Sequence, residues 1–323
     1  MKFAEEINSR IQKLSEKYNA SGQDLLSFLD GLLYADYITY WDYIHLDTLL
    51  SLQTPRTPIP DEEVFIMYHQ ITELYFKLSL HELKQISKRE KMDAAFLKEK
   101  IRRINRYFRA LTDSFGVMED GMDREQFLHF RMALIPASGF QSVQYRLIEV
   151  MSTDFINLVS RDHRDKYDDN SRIEEMYQDI YWKNGATIED TGAKTLTLSQ
   201  FEQKYTDKIL RWANRFQETN LWQRYLELPT VERENEELVA ALKTLDLQVN
   251  VFWPLQHYKT AVRYLAKRPH DIAATGGTNW QKYLPPRFQR RIFYPELWTE
   301  KEKSEWGKSW VENVLAELNQ VKK

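Results

Sequence analysis

Cysteine is absent from the 323 residues, which excludes disulfides, thiolate-ligated metal centres and cysteine zinc sites. Glycine and proline are scarce, ten of each, so long stretches can hold one period without a break. No run approaches the roughly 18 consecutive apolar residues that a membrane span needs. Nor does one sign of charge dominate. With 45 basic and 48 acidic side chains the formal net charge is −3, and the two signs are interspersed. A broad nucleic-acid surface would need clustered Lys and Arg, so no nucleic-acid partner is expected. The short stretch Arg287 to Arg291 is broken by Phe288 and Gln289 and reads as a solvated helix face. The first twenty residues, MKFAEEINSRIQKLSEKYNA, are a charged amphipathic helix without the apolar segment of a signal peptide. The expected address is the cytoplasm, with no membrane segment.

Motifs of common chemistries are missing too. There is no HExxH, no histidine pair at i, i+4, no glycine-rich phosphate loop and no GxSxG elbow. No repeat of about 20 to 50 residues is present, which excludes a solenoid. Aromatic side chains, in contrast, are abundant at 13%. On composition alone they read as an aromatic-rich core, although rings could also line a roomy site.

Helical periodicity fills most of the chain, and strand signals are nearly lacking. Amphipathic helices are expected at 5–18, 22–34 and 40–53, before Pro55, Pro58 and Pro60 break the pattern. Asp61, Glu62 and Glu63 then open a long helix to about Ser87, acidic side chains suiting the positive end of its dipole. Further helices are expected at 93–118, 123–133 (ended by Pro136), 140–158, 198–218 and 229–266, the last interrupted by Pro254. The polar, turn-rich stretch 160–197 reads as an excursion over the core surface. Residues 268–285 read as a functional loop, and a charged C-terminal helix starts near Glu300. The expected architecture is all-α: an N-terminal helical arm (1–39), one core domain (40–298) and a C-terminal helix (299–323).

Chemistry must then come from seven histidines, His45, His69, His81, His129, His163, His257 and His270, and their neighbours. His69 lies one turn after Phe65, so both side chains share a helix face. A core histidine satisfied by one hydrogen bond has the same signature. Phe127 and Arg131 repeat that spacing; the guanidinium either snorkels at the surface or grips a carboxylate with a two-pronged fork. His257 follows Trp253 and Pro254, and a proline bend can aim a ligand. Thr275-Gly276-Gly277-Thr278 is either an ordinary connection or a loop whose backbone approaches a ligand.

Taken in order, these segments resemble the tryptophan 2,3-dioxygenase family. The resemblance rests on YWDYIHLDTLL (40–50), DEEVFIMYHQITEL (61–74), FLHFRMALIPASGFQSVQYRLIE (127–149), the helix around His257, the ATGG loop (274–277) and FYPEL (293–297). PASGFQSVQYR is the most diagnostic piece, since no general structural rule demands that string.

The resemblance implies an all-α haem dioxygenase. Its cofactor would be haem b, ferrous in the active form, and its substrates L-tryptophan and dioxygen. The product would be N-formyl-L-kynurenine. It implies His257 as the axial iron ligand and His69 as the residue that hydrogen-bonds the indole N–H. Phe65 would pack on the indole, Phe127 would line the pocket and Arg131 would bind the carboxylate. Thr275 would contact the amino and carboxylate groups. Tyr40, Tyr43 and Ile44 would complete a neighbouring subunit's pocket in a homotetramer, a dimer of dimers. Two other readings fit the same scaffold: a related haem oxygenase acting on tyrosine or a substituted tryptophan, and a non-enzymatic haem or amino-acid binder. The chain departs from the family pattern at Pro60, Tyr75, Gln256 and Thr278-Asn279.

Overall fold

The computed structural model describes residues 2–35, 37–168, 170–188, 191–265 and 285–308. The chain forms two compact units, Met1–Thr54 and Pro55–Lys323.

In the first unit, α1 (Lys2–Ala20) and α2 (Leu25–Leu33) meet through Tyr18 and Phe28, whose ring centres lie 4.5 Å apart. The expected helix over 40–53 is two short ones, α3 (Tyr40–Ile44) and α4 (Leu46–Leu50). Between them His45 sits in the left-handed region at φ 51°, where a non-glycine residue ends one helix without any warning in the sequence.

The second unit is built on α5 (Asp61–Lys88) and α6 (Ala94–Glu119), which pack on each other. Three acidic residues favour the start of α5. The Asp93 carboxylate caps α6 by accepting the Phe96 N–H at 2.8 Å. Leu97, Ile101, Ile104, Phe108, Leu111, Phe115 and Met118 give α6 its buried stripe at the three- and four-residue spacing of one helix face. Phe108 is fully buried, and its truncation to alanine would cost about 3–5 kcal/mol.

Around this pair lie α7 (Arg124–Phe130), α8 (Val143–Ser152), the short α9 (Ile173–Met176) and α10 (Tyr181–Asn184), then α11 (Leu196–Phe216), α12 (Leu221–Leu226), α13 (Thr230–Arg233), α14 (Glu236–Leu247) and α15 (Trp253–Leu265). Two isolated β-bridges, Val159 with Ile180 and Thr187 with Lys194, are the strand-like pairings among the described residues. The architecture is all-α. No helix among the described residues is long and apolar enough to cross a membrane.

Three details differ from the periodicity. The segment 160–197 is more than a surface excursion: Ile173, Met176, Tyr177, Ile180, Tyr181 and Trp182 are buried in the main core, while most of its charged residues face outwards. Expected helices 123–133 and 140–158 end in or contain 3₁₀ turns at Arg131–Leu134, Gly139–Gln141 and Phe155–Leu158. And α14 reaches α15 through a π turn, Gln248–Phe252. Pro254 has no N–H with which to close an α-helical bond to the Asn250 carbonyl. The helix that starts at Glu300 ends at Ser304, with Glu305 as its cap; residues 309–323 of the expected C-terminal helix lie outside the described residues.

Candidate active site

Four of the expected site residues line one cavity of about 510 Å³ in the second unit: Phe65, His69, Phe127 and His257. That volume lies within the usual range for small-molecule and cofactor sites, roughly 300–1,000 Å³.

One wall comes from α5. Phe65 and His69 stack one turn apart with ring centres at 4.1 Å. The His69 Nδ1 lies 2.7 Å from the Phe65 carbonyl oxygen. A carbonyl can only accept, so Nδ1 carries the proton and donates. In the neutral ring Nε2 then keeps its lone pair and is an acceptor. Burial lowers the His69 pKa from its ordinary value, partly offset by the Phe65 carbonyl and by Glu73, so the neutral form prevails at neutral pH.

A second wall comes from α7. Phe127 lies 6.0 Å from Phe65 and 4.9 Å from Tyr264 between ring centres, and Phe130 closes the apolar corner behind them. Two hydrogen bonds clasp the starts of these helices: the Asp123 N–H donates to the Asp61 carboxylate at 2.6 Å, and the Asp61 N–H donates to the Gln126 side-chain oxygen at 3.2 Å. Arg131 follows as the first residue of the 3₁₀ turn and is 4% exposed. It is not among the side chains that line the cavity. Burial lowers its pKa.

The third wall carries His257 on α15. Its ring centre lies 5.9 Å from that of Phe115. At the start of the same helix Trp253 is wedged against Phe115 and Phe76. Burial, and then the nearby His69, bring the His257 pKa down to about 4. On either side of His257 along the helix, the Gln256 amide and the Thr260 hydroxyl donate to the Glu119 carboxylate at 2.8 and 3.0 Å. These bonds tie the helix to the end of α6.

Beside His257 runs the PASGFQS loop. Ser138 and Gln141 form a reciprocal capping box. The Thr197 hydroxyl donates to the Pro136 carbonyl at 3.0 Å, which pins the loop to α11. A Cβ on Gly139 would lie 3.8 Å from the His257 Cε1, an ordinary contact, so collision does not demand glycine here. Its effect would be to fill cavity space beside the imidazole.

These features fit a haem. A neutral imidazole is the form that donates a lone pair to iron, and a single axial histidine suffices for haem. Among the described residues no group of three or more His, Asp or Glu could cage an ion by itself, whereas the cavity is roomy and largely apolar beside that one imidazole.

Comparison with known proteins identifies the family. A profile of the tryptophan 2,3-dioxygenase family matches residues 34–278. The chain belongs to the tryptophan 2,3-dioxygenase family. It is similar to tryptophan 2,3-dioxygenases of Ruegeria sp. (29% identity, covering 82% of this chain and 92% of the relative) and Herpetosiphon aurantiacus (30%, 81% and 96%). That of Bradyrhizobium diazoefficiens is 28% identical over 81% of this chain and 91% of its own length.

The remaining expected residues fall elsewhere. Tyr40, Tyr43 and Ile44 lie on α3 of the first unit, where the two tyrosines are exposed. Thr275 and Thr278-Asn279 lie outside the described residues. Sequence reasoning missed Tyr68, Glu73, Ser138, Tyr145, Arg146 and Arg291 as cavity residues. For Ser138 a signal existed: Ser-x-x-Gln is the sequence form of a capping box. For Arg146, buried on α8, and Arg291, buried in an irregular segment, periodicity carries none.

Proposed function

We propose that this protein cleaves the indole C2–C3 bond of L-tryptophan with dioxygen, forming N-formyl-L-kynurenine, with haem b bound through His257, and that it works as a cytoplasmic homotetramer. The observation that carries the reading is the pair of imidazoles on one cavity, His69 bonded through Nδ1 to the Phe65 carbonyl and His257 facing the same space.

Each side chain then has a task. Phe65 and Phe127, backed by Phe130, form the apolar wall against which an indole packs, and they keep water from the reacting carbons. The His69 Nε2 accepts the indole N–H and orients the ring. Because burial lowers the His69 pKa, complete proton transfer to it is unfavourable; the bond polarises the N–H and leaves the proton on the substrate. Arg131 is assigned the carboxylate, supported by its burial one residue beyond the helix that carries Phe127. Thr275 is assigned to the amino and carboxylate groups on the resemblance alone. Tyr40, Tyr43 and Ile44 are assigned to a neighbouring subunit's pocket, supported by the exposure of the aromatic rings of α3. Bound haem would supply activated dioxygen, both atoms of which enter the product. The protein contributes binding, orientation and exclusion of water.

The test is anaerobic titration of the reduced, haem-loaded protein with L-tryptophan, then admission of oxygen and mass analysis. A product heavier than substrate by both atoms of labelled dioxygen supports the reading. Oxidation of tyrosine in place of tryptophan would transfer the site to the related oxygenase class, and haem binding without turnover would leave a binding protein.

A further inference from the structure

The π turn Gln248–Phe252 lies between α14 and the helix that carries His257. Such a turn closes its hydrogen bonds at i→i+5 and holds about one residue more than an α-helical turn. An α-helix advances about 100° per residue, so everything downstream is rotated by about that angle relative to an uninterrupted helix. The direction in which His257 points is therefore set at this turn.

A buried polar network braces it. The Val249 carbonyl accepts from the Tyr145 hydroxyl at 2.9 Å and from the Arg291 Nη2 at 3.2 Å. The Asn250 Nδ2 donates to Asp246 at 2.6 Å, and its Oδ1 accepts from the Arg291 Nε. The Arg291 Nη1 donates to Glu149, which also pairs with Arg146. Arg291, Glu149 and Asn250 are at most 5% exposed. Groups so buried gain little stability over an apolar core of the same shape, but their bond directions specify one geometry. The backbone itself needs such donors here, since an interrupted ladder leaves carbonyls to be satisfied from outside. One guanidinium thus reaches the turn's backbone, a side chain within the turn and a carboxylate on α8.

We propose that Arg291 is a positioning residue for His257: by holding the π turn through Val249 and Asn250, it fixes the rotation of α15 and the line along which the imidazole meets iron. The inference rests on the assignment of His257 as the haem ligand.

The experiment uses haem-loaded protein and compares Arg291→Lys and Tyr145→Phe with Lys100→Met. Lysine keeps a charge beside Glu149 but lacks the rigid fork that serves Asn250 and Val249 together. Lys100→Met breaks a buried ion pair of 2.9 Å with Glu82, outside the network. Readouts are the ligand-field bands, the haem reduction potential, the rate of haem transfer to excess apomyoglobin, and thermal unfolding. Loss of an outer-shell partner typically costs about 10- to 100-fold in metal affinity. We expect Arg291→Lys to speed haem transfer by at least about tenfold and to shift bands and potential, with Tyr145→Phe moving them the same way by less. Lys100→Met should lower the unfolding midpoint and leave the bands in place. If both network variants lose stability as Lys100→Met does while bands, potential and haem transfer stay as in wild type, the proposal is overturned. Should Arg291→Lys fail to fold, unchanged bands and transfer in Tyr145→Phe overturn it alone. His257→Ala separates the premise: wild-type bands in that variant would refute the ligand assignment itself.

Discussion

Replacing His69 by leucine removes the acceptor proposed for the indole N–H and keeps an apolar side chain against Phe65. The Phe65 carbonyl is not orphaned by the change, because residue 69 lies within α5 and its backbone N–H still reaches back to residue 65. The main loss is at the substrate: an indole N–H that leaves water and finds no partner. A buried donor left unsatisfied costs about 1–3 kcal/mol, which at about 1.4 kcal/mol per decade is a fall of roughly 5- to 150-fold in kcat/KM. The assay is a two-by-two comparison of both proteins on L-tryptophan and on its N1-methyl derivative, which has no N–H to satisfy. For tryptophan the variant should lose the full factor. For the methylated substrate it should lose little or improve, since the imidazole no longer opposes the methyl group. The interaction between the two changes isolates the hydrogen bond from packing. Equal losses on both substrates would show that His69 acts by filling space, and an unaffected rate on tryptophan would remove it from the site.

Arg131→Leu should cost about 3–5 kcal/mol if the guanidinium pairs with the carboxylate in a desolvated site, two or more decades in kcat/KM, with haem bands intact. Tryptamine, which lacks the carboxylate, should then be a poor substrate for wild type, and comparable turnover of the two would contradict the assignment. For pH, burial disfavours the cationic form of His69 and lowers its pKa, so the neutral acceptor persists below the ordinary imidazole value of about 6.5. The kcat/KM profile should stay flat through that value as pH falls and decline only below it; an acid limb at or above it would refute the buried, neutral state. Sedimentation should report a tetramer at working concentration, and a fully active monomer would disprove the pocket role of Tyr40, Tyr43 and Ile44.

The sequence reveals the long helices and hides the short irregular ones, for a physical reason. In α6 the apolar stripe runs for seven side chains, Leu97 to Met118, behind an Asp93 cap, enough turns for a 3.6-residue period to be unmistakable. Over four residues, as at Arg131–Leu134, a period of 3.0 and one of 3.6 place side chains almost alike. His45 adopts a left-handed conformation without being glycine, so no residue marks the break. Across 160–197 the polar residues dominate any average. Yet Tyr177 and Trp182 are 2% and 0% exposed, and two large rings outweigh many lysines in deciding where a segment packs.

The site shows the same division between local and distant order. Phe65 and His69 can be paired from spacing alone, because both lie on one helix. Their meeting with Phe127 and His257 depends on how α5, α7 and α15 cross, and no local pattern encodes that. Arg131 shows the limit: it sits one turn after Phe127, its N–H bonded to the Phe127 carbonyl, and is buried, yet it is not among the residues that line the cavity. Pro254 was legible as a disturbance before His257, yet the sense of the disturbance was not. It is given by Val249 and Asn250, whose partners Tyr145 and Arg291 lie 104 and 41 residues away. What aims the proposed iron ligand is therefore a set of contacts distant in sequence, which no local motif around His257 encodes.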